Sequence, residues 1–201
     1  MNALDLLSGI EKTSSRKEKE ELLAAADEWT KTLLQWALDP YRTYGLQNIP
    51  APAPRDPELE AISAHIRTGL QVDEALFQVN ITQLGMILEE LQRRNLVGNE
   101  SREVVGQFLK ELPYETARWF HRVIIKDLSC GITEKTVNKV FPGLIPSFSV
   151  QLAEDASGTQ PKVTYPVWCD YKLDGLRMVA IKEGNNVTLY SRKGHEIEVL
   201  P

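Results

Sequence analysis

The stretch Asp170-Tyr171-Lys172-Leu173-Asp174-Gly175-Leu176-Arg177 sets a lysine between two runs, Pro166–Tyr171 and Leu176–Ile181, that read as strands. An ammonium at the end of an apolar strand is costly to bury without a partner. Desolvation lowers its pKa, and the neutral amine is a nucleophile. Asp174 and Gly175 follow at once. The glycine suits a tight turn, and the aspartate can hold that turn or orient the amine. Arg177 offers a rigid fork that can reach a phosphate or a ribose. The same letters also fit a surface hairpin in which Lys172 is solvated and Asp174-Gly175 is only the turn.

These residues must be carried by the elements around them. At 201 residues the chain has room for one large or two small domains. Its 42% hydrophobic and 25% charged residues are ordinary for a soluble globular chain. No run approaches the roughly 18 apolar residues of a membrane span. No basic start followed by an apolar core marks a secretory signal, so a cytoplasmic location is expected (the host cytoplasm for a viral protein). Cys130 and Cys169 are the only cysteines, which gives neither a disulfide framework nor a zinc quartet. The net charge of −5 is unevenly spread. Residues 1–90 hold 8 Lys and Arg against 15 Asp and Glu, residues 91–139 hold 9 against 6, and the remainder 6 against 7. The basic excess sits in the middle of the chain.

The first two thirds read as helices. Ser15-Arg16-Lys17-Glu18 has the form of a capping box. Behind it Leu22, Ala26, Trp29, Leu33 and Trp36 recur at helical spacing, up to a stop at Asp39-Pro40. A proline-rich connector follows, with Pro50, Pro52, Pro54 and Pro57. Asp56-Pro57 reopens a helix with Leu59, Ile62 and Ile66 on one face and His65 beside it. Further helices are expected from Asn80 or Thr82 to near Gly98, from Ser101 to Leu112, and from Pro113 onward. The last carries Arg118, Arg122 and Lys126, spaced by four. Such a row is either a solvated face or three charges presented to a phosphate backbone. After the turn Ser129-Cys130-Gly131, Thr133 caps a helix bearing Lys135 and Lys139.

From Pro142 the character changes. Phe148–Leu152, Pro166–Tyr171, Leu176–Ile181 and Val187–Ser191 read as strands, with a hairpin turn at Glu183-Gly184-Asn185-Asn186. The expected fold class is therefore α+β: an all-helical domain over residues 1–145, then the first antiparallel strands of a second domain over residues 146–201.

The Lys-x-Asp-Gly pattern resembles that of the covalent nucleotidyltransferases: ATP-dependent DNA ligases, RNA ligases and mRNA-capping enzymes. A second stretch narrows this. Val123-Ile124-Ile125-Lys126-Asp127-Leu128-Ser129-Cys130-Gly131, running on to Asn138-Lys139-Val140-Phe141-Pro142-Gly143-Leu144-Ile145-Pro146, resembles the end of the helical DNA-binding domain of T-even-type bacteriophage DNA ligases. Leu189-Tyr190-Ser191-Arg192-Lys193-Gly194 resembles the ligase motif that follows one hairpin after the lysine. The resemblance implies that residues 146–201 begin an adenylation domain. It implies ATP and Mg2+ as cofactors, nicked double-stranded DNA as partner, and roles in DNA replication, repair and recombination.

By the same resemblance, Lys172 attacks the α-phosphate of ATP and carries AMP. Asp170 stands where many relatives have Glu to read the adenine. Tyr171 and Leu173 flank the base, Arg177 contacts the ribose, and Arg192 lies near the AMP phosphate. Arg118, Arg122, Lys126, Lys135 and Lys139 are the candidate DNA contacts, and no metal ligand is assigned. The later ligase motifs and the OB-type domain are not found in the sequence. The expectation is a monomeric part of a ligase, completed on the same or a companion chain, that binds DNA without sealing nicks alone. The rivals are an RNA ligase or capping-type enzyme, and a helical nucleic-acid-binding module whose lysine motif is coincidental.

Overall fold

A computed structural model describes residues 2–46, 48–54, 73–148 and 177–197, with positions 166, 168, 171 and 175. The fold is α+β and falls into two compact units, Met1–Pro146 and Ser147–Pro201. Among the described residues no helix is long and apolar enough to cross a membrane.

The first unit is helical. Helix α1 (Ala3–Lys12) starts where the Asn2 side chain accepts a hydrogen bond from the Asp5 amide at 2.8 Å. Such a cap satisfies one of the orphan amides of the first turn. Ala3, Leu6, Leu7 and Ile10 form its buried stripe. Helix α2 (Arg16–Ala24) begins at Ser15, whose hydroxyl accepts from the Glu18 amide at 3.4 Å. The sequence reads as one helix from there to Trp36, but the structure breaks it. Asp27 caps a new helix, α3 (Glu28–Leu38), accepting from the Thr30 amide at 2.7 Å and its hydroxyl at 2.6 Å. A carboxylate that satisfies two donors outcompetes the helix propensity of Ala24-Ala25-Ala26. The break changes which residues point inward. Thr30, Leu33, Leu34 and Ala37 are buried, while Trp29 and Trp36 are only partly so.

Helix α4 (Asp73–Gln92) is already helical ahead of the Asn80 or Thr82 expected to open it, and buries Ile81, Leu84, Leu88 and Leu91. Gly98, expected as a stop, instead opens α5 (Gly98–Glu111), where its carbonyl accepts from the Ser101 hydroxyl at 2.7 Å. Helix α6 (Tyr114–Ile124) is the centre of the unit. Trp119, Phe120, Val123 and Ile124 are almost wholly buried on it. Phe120 lies 6.2 Å, centroid to centroid, from both Phe77 of α4 and Phe108 of α5. Such ring pairs add stabilisation beyond their buried area. Helix α6 packs against α1, α3 and α5, and α2 packs against the last helix, α7 (Glu134–Val140).

In the second unit, strands β1 (Met178–Glu183) and β2 (Asn186–Ser191) pair antiparallel around Gly184-Asn185. Gly184 takes φ 62°, a left-handed value that costs glycine little. Phe148 lies 5.7 Å from Tyr190, and Tyr190 bridges to Glu196. Of the expected strand Phe148–Leu152 only Phe148 is described, and of Pro166–Tyr171 only Pro166, Trp168 and Tyr171, while His65 and the helix expected after Asp56 lie outside the described residues.

Candidate functional site

Lys172, Asp170 and Leu173 lie outside the described residues. Tyr171 is described and exposed, as are Arg177 and Arg192. The sheet register brings these two arginines together. Met178 pairs with Ser191, so Arg177 immediately before one and Arg192 immediately after the other share one end of the ribbon. Fifteen positions apart in sequence, they flank a single strand end, five residues after Lys172. The turn that carries Arg192 is closed by the Gly194 amide donating to Ser191 O at 2.9 Å and by the Ser191 amide donating to His195 O at 2.8 Å. Two arginines at one strand end suit a phosphate-bearing ligand.

The helical unit treats its five candidate cations unequally. Arg118 Nη1 contacts both carboxylate oxygens of Glu11 at 2.8 and 3.1 Å, and its Nη2 lies 3.0 Å from Glu115. Arg122 Nη2 lies 2.8 Å from the same Glu11, and its Nη1 donates to Leu128 O at 3.2 Å. Both guanidinium groups stand about 5 Å from the Trp119 ring, whose Nε1 donates to the Ser8 hydroxyl at 3.1 Å. Burial alone would raise the pKa of Glu11. Hydrogen bonds from Arg122 and Arg118 outweigh it and hold the carboxyl below its usual value.

Lys126 is tied down differently. The end of α6 is a Schellman motif: the Asp127 amide donates to Arg122 O at 3.0 Å and the Lys126 amide to Val123 O at 3.1 Å. Lys126 fills the left-handed position, φ 60°, where glycine is usual. Its ammonium donates to the carbonyls of Asp39 at 2.6 Å and Trp36 at 3.4 Å, at the C-terminal end of α3. A cation there offsets the helix's partial negative charge. Burial pushes the Lys126 amine down, and the Asp39 carboxylate opposes the shift. Arg118, Arg122 and Lys126 therefore hold α1, α3 and α6 together. Lys135 and Lys139 of α7 are exposed, with Lys139 also contacting Glu20 of α2.

The loop between α6 and α7 is stitched from several sides. Lys19 of α2 donates to Cys130 O at 2.6 Å. Asp127 accepts from the Ser129 amide at 2.9 Å and its hydroxyl at 3.0 Å. Gly131 takes φ 69°, and a Cβ there would stand 2.6 Å from the Lys19 ammonium. After α7, Asn138 clamps the chain by accepting from the Ile145 amide at 2.9 Å and donating to its carbonyl at 2.8 Å. Sequence reasoning did not single out Glu11, Lys19 or Asn138. A carboxylate in the last turn of a helix, as Glu11 is in α1, was the available signal, because it opposes the helix dipole unless a cation holds it.

These features define a class: a helical domain with a hydrogen-bonded α6–loop–α7 corner, followed by a β-ribbon with an arginine beside each strand at one end. No family model matches the chain. Over 111 residues, 53% of the chain, it is 33% identical to the DNA ligases of Enterobacteria phages T4 and T6, and it covers 23% of each. The chain thus spans about a quarter of the length of these curated relatives. Two solved structures, Pmar-Lig_PreS3 and Pmar-Lig_Pre, match 98% of the chain with TM-scores of 0.75 and 0.76 at 25% and 24% identity, and the chain spans 43% of each. In sequence the chain resembles the DNA ligases of phages T4 and T6, and in fold the two Pmar-Lig structures.

Proposed function

We propose that this chain supplies the DNA grip and the nucleotide-carrying lysine of an ATP-dependent DNA ligase. The observation that carries the reading is the 33% identity with phage DNA ligases over 111 residues. In this reading the Lys172 amine attacks the α-phosphate of ATP. A P–N bond forms, the α–β phosphoanhydride breaks, pyrophosphate leaves with its electron pair, and the amine gives up a proton. Lysyl-AMP then passes AMP to the 5′-phosphate of a nick. The 3′-hydroxyl displaces AMP, and the phosphodiester is restored.

Asp170, Tyr171 and Leu173 would surround the adenine, Arg177 would take the ribose, and Arg192 the AMP phosphate. Magnesium would supply neutralisation of phosphate charge. Among the described residues no cluster of three or more His, Cys, Asp or Glu side chains could hold it. The ion usually arrives on triphosphate oxygens. The helical unit would hold nicked duplex DNA through its backbone, without reading sequence. Lys135 and Lys139 lead that surface, and Arg118, Arg122 and Lys126 stiffen the scaffold behind it.

Intact mass under denaturing conditions, before and after ATP and magnesium, tests the chemistry. A gain of one AMP that disappears in Lys172→Ala supports it. No gain here, nor in a version extended past Pro201, returns the motif to an ordinary turn.

A further inference from the structure

A cleft of about 790 Å³ opens in the helical unit between the extended segment Ile49–Ala53 and helices α5 and α6. It takes no part in the reading above. Its floor is apolar, made by Ile49, Leu109, Leu112 and Ala117, all of which pack into the core. The segment over it is stiff and anchored. Pro50 and Pro52 remove alternate amide donors and fix φ, so the strap cannot join a sheet. His121, buried on α6, donates from Nε2 to Ile49 O at 3.0 Å and fixes the strap's entry. The opposite wall is one face of α5, where Arg102, Gly106 and Lys110 recur every four residues. Gly106 sits between the two cations, and a Cβ there would meet nothing within 4 Å. A missing side chain thus leaves open space beside an exposed arginine.

This volume is in the range of small-molecule sites, and an apolar floor with a few polar groups around it is their usual composition. The charges at the rim, Arg102 and Lys110 against Glu103, sum to +1. We propose that the cleft binds a small amphipathic anion, its apolar body against Ile49 and Leu109 and its acidic group at Arg102. The carboxylate or sulfonate approaches along the α5 face, where Gly106 admits it. The acid and the apolar body are both needed, because neither an exposed guanidinium nor a shallow apolar floor holds a ligand alone.

The dye 8-anilinonaphthalene-1-sulfonate, an apolar ring system with one acidic group, is the probe. Its fluorescence should rise on titration into the native chain, and octanoate should displace it where octanol does not. Gly106→Leu fills the open space on a helix face without meeting a neighbour, and should weaken dye binding at least tenfold. Arg102→Gln, at an exposed position that leaves the fold untouched, should weaken it by about three- to tenfold, the value of one charge-assisted contact partly screened by water. Circular dichroism verifies that both variants are folded. Absence of dye binding to the native chain, or equal binding to both variants, overturns the proposal. Equal displacement by octanol overturns the assignment of an anion.

Discussion

Replacing Glu11 with Gln isolates the cluster that joins α1 to α6. Glutamine keeps the shape and one acceptor oxygen but removes the charge shared by Arg118 and Arg122. Hydrogen bonds to charged groups contribute about 1.5–3 kcal/mol. The side chains are 27%, 23% and 19% exposed for Glu11, Arg118 and Arg122, so water screens part of this. Glu115 and Leu128 O continue to hold one arginine each. The expected net loss is about 2 kcal/mol, or roughly 4–8 °C in Tm for a unit of this size. Urea unfolding followed by tryptophan emission measures it, and Trp119, flanked by both guanidinium groups, reports locally. The loss also depends on pH. A carboxyl whose folded pKa lies below an ordinary glutamate's 4.5 contributes stability that is present above 4.5 and fades as pH falls through the folded value. The gap between native chain and Glu11→Gln should therefore close in acid. Glu115→Gln, whose carboxylate is 58% exposed, should cost only a few tenths of a kcal/mol. A Glu11→Gln loss under about 0.5 kcal/mol, or a gap constant down to pH 3, refutes the reasoning, since either leaves a solvated pair of no consequence.

Three further outcomes are expected. Burial pushes the Tyr44 phenol up to about 12, against the opposing Arg42 charge, so unfolded chains ionise first and stability should fall between pH 10 and 12. The fall should be shallower in Tyr44→Phe, which also loses the 2.9 Å bond to Trp36 O and about 1 kcal/mol. Two helix glycines should respond with opposite sign to alanine in thermal melts. Gly106→Ala, in open space, should gain about 0.5–1 kcal/mol, whereas Gly85→Ala would place Cβ 3.0 Å from the Trp36 ring and should lose stability. If Lys135 and Lys139 contact DNA phosphates, changing both to Ala should flatten the slope of log binding constant against log salt by about 2 for a nicked duplex. An unchanged slope moves the interface elsewhere.

What the sequence displayed and what it hid follow from the range of each interaction. The Ser15 cap, the Asp39 stop and the hairpin at Gly184-Asn185 are local, and each was legible. The break at Asp27 was hidden because Leu22, Ala26, Trp29 and Leu33 keep helical spacing straight through it. Only the side-chain choice of Asp27 and Thr30 decides there. Helix α4 already runs ahead of Asn80, where Phe77 packs on Phe120, a contact 43 positions away that local spacing does not show. The row Arg118, Arg122 and Lys126 was visible as a spacing, but its partners were not. Glu11 is 107 positions from Arg118, and the Asp39 carbonyl 87 from Lys126. The placing of Arg177 and Arg192 at one end of the ribbon needed only the hairpin register, so it was within reach of the sequence.

The stitched corner between α6 and α7 also constrains how the chain can be made. Its anchors come from the opposite end of the sequence: Lys19 reaches Cys130 across 111 positions, and Gln35 donates to Leu144 O across 109. Loops of that length close slowly, because their entropy is lost before the contact is gained. On a ribosome, α1 to α3 emerge first and can pack on one another, but the faces that α1 and α3 turn to α6 stay open until α6 arrives. A nascent chain halted near Leu112 therefore presents sticky helices to chaperones, and release past Ile145 lets the whole unit lock in one late step.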